Sequence, residues 1–340
     1  MTLNPFIKKI TVLGNGGWGT TLAILLYKKG YEVTLWGADA SYVAYLNEKR
    51  ENVKFLKGIS IPEGICITAE ISSKLMDAQL IVSATPTPYL RSVLVKFKNT
   101  FVRGIPIVSV TKGIENDTLM RPSEVIANVL GRQPISLLLG PSHAEEVARG
   151  LPTTIVASSK DSNLARVVQE VFTTDRFRVY TNPDTIGVEL GAAMKNVIAI
   201  AAGICDGLKF GDNSKAALIS RGLVEISRLG IAMGAQRSTF SGLTGLGDLI
   251  TTCISPYGRN RWVGEQIGKG KKLQEILEKM EQIAEGVWTT KSVVALSCKF
   301  NVEMPITKEI YNVLFTGKNP LEAVSNLMMR APKSEMEELI

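Results

Sequence analysis

The sequence predicts an α/β fold followed by an all-α domain. Short β-type runs alternate with helical runs from Ile10 to Tyr180, a glycine-rich turn follows the first of them, and only helical patterns follow Thr181. In order, strands are expected at Ile10–Leu13, Glu32–Trp36, Ile65–Thr68, Leu80–Ala84, Ile105–Val110, Ser136–Leu139, Thr153–Ala157 and Phe177–Tyr180. Helices at 17–29 and 40–51 separate the first three, and helical stretches lie between most of the rest. Such alternation means parallel strands joined by right-handed crossovers. Asn182-Pro183 can open a helix, with Pro inside the first turn. Helices then follow at about 184–207, 214–233, 259–269, 271–280, 288–300, 305–316 and 320–329. Two domains are therefore expected, 1–181 and 182–340, which suits a chain of 340 residues.

Composition excludes several classes. Apolar residues make up 45% and charged residues 21%, ordinary for a folded domain and unlike disordered or collagen-like chains. No run reaches 18 uninterrupted apolar residues, so no membrane span is expected and the reading is cytoplasmic. Cys66, Cys205, Cys253 and Cys298 are far apart, which points to buried reduced thiols. With one histidine and scattered cysteines, no metal site is expected. Of the net charge of +7, residues 1–180 carry +6 (21 basic, 15 acidic), dispersed rather than gathered into a stripe. That suits small anionic ligands and argues against nucleic acid as a partner.

The turn after the first strand fits GxGxxG. Gly14 permits the tight turn, Gly16 lets the backbone approach a pyrophosphate, and Gly19 lets helix and strand pack closely. The free N–H groups and positive end of the helix that follows would hold the phosphates. The first domain therefore reads as a Rossmann-type dinucleotide-binding domain, with NAD or NADP as cofactor. Asp39, after the second strand, is either an acceptor for a ribose hydroxyl or a helix cap.

Two lysines stand where lysine is costly. Lys112 follows a buried-looking strand, at the strand end where ligands bind in open α/β sheets. Lys195 lies in the helix Val188–Ala199, apolar on nearly every face. An amine there needs a partner or a task; burial would lower its pKa and make it a workable general base. Further on, Gly242–Leu249 forms a glycine-rich bend presenting Asp248, which could equally be a turn and cap. Gly258-Arg259-Asn260 opens a helix and could hold a phosphate, or be another turn and cap. His143 reads as a helix-start residue.

Seven segments taken together resemble the bacterial-type NAD(P)-dependent glycerol-3-phosphate dehydrogenases, from about Ile10 to Arg330. They are GNGGWGT (14–20), SVTKGIE (109–115), LGPSHAEEV (139–147), ELGAAMKNVIAIAAGICDGL (189–208), LTGLGDLITTC (243–253), GRNRWVG (258–264) and AEGVWTT (284–290). The resemblance implies reversible hydride transfer between glycerol 3-phosphate and dihydroxyacetone phosphate, feeding phospholipid synthesis, in a homodimer. It implies Lys195 as proton acceptor, with Lys112 as the second cation at the reacting oxygen. Gly140, Ser142, Asp248, Gly258, Arg259 and Asn260 would line the substrate along with both lysines. Gly17, Trp18, Lys112, Ala144, Arg259, Ile283 and Glu285 would meet the cofactor, with Phe55 beside the adenine. The chain departs from the family's frequent serines at Gly17 and Gly258, and has Ala38 where a basic residue is common.

Two other readings differ in what they require. A related β-hydroxyacid dehydrogenase shares the two-domain plan and a helix-borne lysine but has no need of Arg259-Asn260 for a phosphate. A non-catalytic dinucleotide-binding regulator would keep the glycine turn and have no reason for a buried lysine.

Overall fold

The computed structural model describes residues 6–70, 77–332 and 334–335. The chain divides into two compact units. The first runs through Lys112 and resumes over Met120–Thr185; the second takes Gly113–Leu119 and the chain from Ile186 on. The division falls at 185/186, a few residues past the expected 181/182. The excursion at 113–119 has a packing reason: Ile114 is buried in the helical core, and its carbonyl accepts a hydrogen bond from Ser292 Oγ at 3.1 Å.

In chain order the first unit contains β1 (Lys9–Leu13), α1 (Gly17–Lys28), β2 (Glu32–Trp36), α2 (Ala40–Lys49), β3 (Glu51–Asn52), β4 (Leu56–Ser60), β5 (Cys66–Thr68), β6 (Leu80–Ser83), α3 (Thr87–Phe97), β7 (Ile107–Ser109), α4 (Pro122–Leu130), β8 (Ile135–Leu139), α5 (Ala144–Ala148), β9 (Thr153–Ser158), α6 (Ser162–Phe172) and β10 (Phe177–Asn182). Eight strands form one sheet in the order β10-β9-β8-β7-β6-β1-β2-β5. The chain leaves β1 with β2 on one side and β6 on the other, with Leu13 opposite both Trp36 and Ser83. That reversal of strand order opens a crevice at the carboxyl end of β1, where α/β sheets bind ligands.

Two features correct the expectation of a purely parallel sheet with 40–51 as one helix. β8 and β9 pair antiparallel. The segment joining them carries a helix of five residues, too short for the crossover a parallel pair requires. The second helix ends at Lys49, where Arg50 adopts a left-handed φ of 50°, and the chain turns into the β3–β4 hairpin.

The second unit contains α7 (Thr185–Gly207), α8 (Asp212–Ala232), α9 (Arg237–Phe240), a π-helical turn (Leu243–Gly247), α10 (Asp248–Ile254), α11 (Arg259–Gly268), α12 (Leu273–Glu278), α13 (Glu285–Lys299), α14 (Pro305–Phe315) and α15 (Pro320–Met328). Its axis is α7, buried at every residue from Gly187 to Cys205. Among the described residues α7 alone is long and apolar enough to cross a membrane, and that stretch is wholly buried in the unit's core. The four cysteines are free; Cys205 and Cys253 are buried, Cys66 is partly so and Cys298 is exposed. Burial pushes the Cys253 thiol up to about 12.

A second buried polar group closes this core. Glu225 of α8 accepts hydrogen bonds from the Ile306 N–H (2.6 Å), the Thr307 N–H (3.1 Å) and the Thr307 hydroxyl (3.0 Å). It thus caps α14, whose own Met304 supplies no side-chain cap. Burial raises its carboxyl from 4.5 to about 7, outweighing these hydrogen bonds and the nearby Arg228. The folded chain therefore holds a proton that the unfolded chain releases between those values. Stability should fall as pH rises from about 4.5 to 7 and level off above, by roughly 3 kcal/mol from this group. Calorimetric melting of wild type and Glu225→Gln across this range should show the slope in the wild type and its loss in the variant.

Candidate active site

The first unit places the glycine turn at the crevice beside β1. Gly14 has φ +117°, and a Cβ there would stand 2.7 Å from the Ala84 carbonyl oxygen; one on Gly19 would stand 1.9 Å from the Gly14 oxygen. Gly16 differs, because nothing lies within 4 Å of its Cβ position. Its side is open space, and α1 begins there with no side-chain cap on its N–H groups. Asn15 Nδ2 in the same turn is buried with no hydrogen-bond partner. An uncapped helix start, an open cradle and an orphaned donor fit a dinucleotide pyrophosphate.

The turn is held from behind by Asn52, fully buried, which sequence reasoning missed. Asn52 Nδ2 donates to Asn15 O (2.8 Å) and Thr20 Oγ1 (2.7 Å), while its Oδ1 accepts from the Tyr42 hydroxyl (2.7 Å). The β3–β4 hairpin that carries Asn52 also brings up Phe55. A Cβ on Gly17 would lie 2.6 Å from Phe55 O and 3.6 Å from Ala144 Cβ. Gly17, Phe55 and Ala144 thus converge, and the main chain leaves no room for the serine common at Gly17. Trp18 packs instead on Phe177, with ring centroids 6.3 Å apart. Asp39 resolves towards the cap: its Oδ1 accepts from the Ser41 and Tyr42 N–H groups and the Ser41 hydroxyl. Those bonds, the Ser41 hydroxyl foremost, hold its carboxyl below the usual range.

Lys112, half-buried at the end of the β7 segment, donates from Nζ to Gly140 O at 2.8 Å, with Ser142 Oγ at 3.5 Å. Ser142 Oγ in turn donates to Gly140 O at 2.9 Å. Three residues separated by up to thirty positions thus meet, over a Gly140 whose φ of +141° disfavours any side chain. His143 stands at the N-cap position of α5 without a side-chain cap bond.

In the second unit, Lys195 is 5% exposed and forms an ion pair with Asp248, itself 1% exposed. Its Nζ also donates to Thr252 Oγ1 at 2.5 Å. Asp248, at the end of the π-helical turn, is therefore the counter-ion of the buried amine. The π-helical turn before it passes so close to α7 that a Cβ on Gly191 would meet Thr244 O at 2.6 Å. Asp248 and Thr252, four residues apart, share one face of α10. Thr252 was missed by sequence reasoning, although that spacing in an apolar helix was a visible signal.

At the start of α11, Gly258 is the N-cap and provides no side-chain bond. A Cβ on it would lie 2.9 Å from Thr252 O, so main chain again excludes a serine. Arg259 is exposed and donates from Nη1 to Ile283 O at 3.2 Å. Buried Asn260 accepts from the Gly286 N–H at 2.9 Å, beside Glu285 at the start of α13. The expected cofactor residues therefore fall in two groups. Gly14, Gly16, Gly17, Trp18, Gly19, Phe55, Lys112 and Ala144 belong to the first unit; Arg259, Ile283 and Glu285 belong to the second.

Comparison with known proteins identifies the family. The family model for the NAD-dependent glycerol-3-phosphate dehydrogenase N-terminus matches residues 9–165, and that for the C-terminus matches 184–325. The glycerol-3-phosphate dehydrogenase [NAD(P)+] of Chlorobium phaeobacteroides is 49% identical over 330 residues, covering 96% of this chain and 99% of the relative. That of Geobacillus kaustophilus is 49% identical over 336 residues, 98% of each. A crystal structure of the Coxiella burnetii glycerol-3-phosphate dehydrogenase superposes with a TM-score of 0.92 at 37% identity, covering 96% of this chain and all of that one. With matches spanning both units, the chain belongs to the NAD-dependent glycerol-3-phosphate dehydrogenase family.

Proposed function

We propose that the residues above divide the work of an NAD(P)-dependent glycerol-3-phosphate dehydrogenase, interconverting glycerol 3-phosphate and dihydroxyacetone phosphate and so supplying glycerol 3-phosphate for phospholipid synthesis. The nicotinamide cofactor supplies or takes up the hydride. Gly14, Gly16, Gly17 and Gly19, with the start of α1, bind its pyrophosphate. Trp18, Phe55, Ala144, Ile283 and Glu285 complete the cofactor contacts.

The observation that carries the reading is the buried Lys195–Asp248–Thr252 cluster. In the reduction direction Lys195 Nζ, held as an ammonium by Asp248, gives a proton to the substrate oxygen as the carbinol forms. In the oxidation direction the neutral amine takes it back. Thr252 fixes the amine's direction. Lys112, set by Gly140 and Ser142, polarises the same oxygen. Arg259 and Asn260, with the uncapped start of α11 at Gly258, hold the phosphate, so that binding energy remote from the reacting carbon orients it. Arg259 is also given a contact with the cofactor. The alternative of a β-hydroxyacid substrate finds no use for that last group.

A homodimer belongs to the reading; exposed Ile254, Tyr257 and Trp262, carried on α10, α11 and the segment between, support it. So does a cytoplasmic place of work, supported by four free thiols.

Lys195→Ala should lower kcat by about 10³-fold or more while NADH binding, measured by fluorescence titration, stays within twofold. Wild-type-like turnover would remove Lys195 from the chemistry. Arg259→Ala should raise the KM for dihydroxyacetone phosphate by at least about tenfold, well beyond its effect on the KM for NADH, in steady-state assays. Gly17→Ser should weaken NADH binding, since the Phe55 carbonyl must retreat to admit the side chain; an unchanged Kd would contradict this.

A further inference from the structure

Beyond the side chains of Asp248 and Thr252, several neighbours approach α7 with main chain, and these approaches fall on glycines. A Cβ on Gly203 would lie 1.8 Å from Arg261 O, and one on Gly207 would lie 2.4 Å from Glu265 O. Reciprocally, a Cβ on Gly264 would lie 1.9 Å from Ile200 O, and one on Gly268 would lie 2.6 Å from Ile204 O. The glycines stand four apart on both helices, so α7 and α11 each offer the other a bare strip. Such strips bring helices closer than the ordinary interaxial distance of roughly 8–10 Å.

Polar contacts clip the same crossing. Asp206 of α7 accepts from Arg261 Nη1 at 2.6 Å and pairs with Lys215, while Arg261 Nε donates to Ser255 O at 3.1 Å. Nearer the amine, Gly286 of α13 lies against Asn196 O, where a Cβ would come within 2.6 Å, and its N–H donates to Asn260 Oδ1. Lys195 lies eight residues before Gly203, about 12 Å along α7; Arg259 lies five before Gly264, about 7.5 Å along α11. The crossing thus joins two short rigid arms, one carrying the amine and the other carrying the arginine.

We propose that this crossing is a spacer for the reaction. Gly203, Gly207, Gly264 and Gly268 are positioning residues that set the separation between Lys195 Nζ and the Arg259-Asn260 anchor to the length of a three-carbon phosphate ester. The proposal rests on the assignment of the phosphate to Arg259-Asn260. Any Cβ at these positions pushes main chain against main chain, so the arms must part. A substrate then satisfies the phosphate anchor or the amine, not both. Displacement of about 1 Å can cost on the order of 10²-fold in rate.

The test compares reduction of dihydroxyacetone phosphate with reduction of dihydroxyacetone, which lacks the phosphate and spans no fixed distance. Gly264→Ala, and the milder Gly268→Ala should the first not fold, should lower kcat/KM for dihydroxyacetone phosphate roughly ten- to a hundredfold. They should change that for dihydroxyacetone by less than about threefold, both measured at saturating NADH. Gly222→Ala serves as the control for core disturbance, since its Cβ would meet the movable side chain of Ile198. It should lower both substrates in equal proportion. Equal losses on both substrates in the Gly268→Ala enzyme would overturn the spacer. Arg259→Ala separates the two claims. If it leaves the preference for the phosphorylated substrate intact, the anchor assignment itself fails. If it abolishes that preference while Gly268→Ala does not, the spacer alone fails.

Discussion

An ammonium and a carboxylate, both almost wholly withdrawn from water, face each other in the second unit, and much of its architecture follows from keeping them so. Each ion alone would cost several kcal/mol to bury, and removing one partner of such a pair costs about 3–5 kcal/mol. Lys195 can stand in the middle of α7 because Asp248 and Thr252 meet it. They meet it because the π-helical turn lays α10 against α7, which in turn requires Gly191 to be bare. On the role proposed for Lys195, a stability requirement and a chemical one coincide: the arrangement that makes the charge tolerable also fixes its direction.

The first unit solves a different problem, that of presenting main-chain donors without closing over them. Gly16 faces open space, α1 starts uncapped, and the turn is nonetheless rigid because Asn52 and Thr20 satisfy the Asn15 carbonyl from the buried side, with the Tyr42 hydroxyl holding Asn52. Rigidity supplied from behind leaves the front for a ligand, which is the economy expected of a preorganised anion site.

Much of this was legible in the sequence. The glycine turn stands out for its glycines and Lys195 as a charge in an apolar run, whereas Lys112 and Arg259-Asn260 stand out by position, at a strand end and a helix start. The all-helical second half could be read from periodicity. What could not be read depended on tertiary contact. The antiparallel β8–β9 pair follows from a five-residue helix whose length no pattern announced. Asp248 reads from sequence as either a presented carboxylate or a turn and cap, because its partner lies fifty-three positions away. Gly17 and Gly258 looked like serines lost from the family pattern, whereas each is excluded from bearing a side chain by a carbonyl, of Phe55 or of Thr252. Asn52 lies just past a stretch read as helix, 40–51, and nothing local marks it as the support of a turn thirty-seven residues earlier.

Gly203, Gly207, Gly264 and Gly268 bear on how such a protein can change over generations. A distance written in main-chain atoms offers no side chain to trim or lengthen, so selection for a bigger or smaller alcohol has no single codon to work on there. Ala38, by contrast, lies exposed after β2, where one nucleotide change alters charge without disturbing packing or the Asp39 cap. Charge after β2 is therefore freer to drift between lineages than a separation set by main chain.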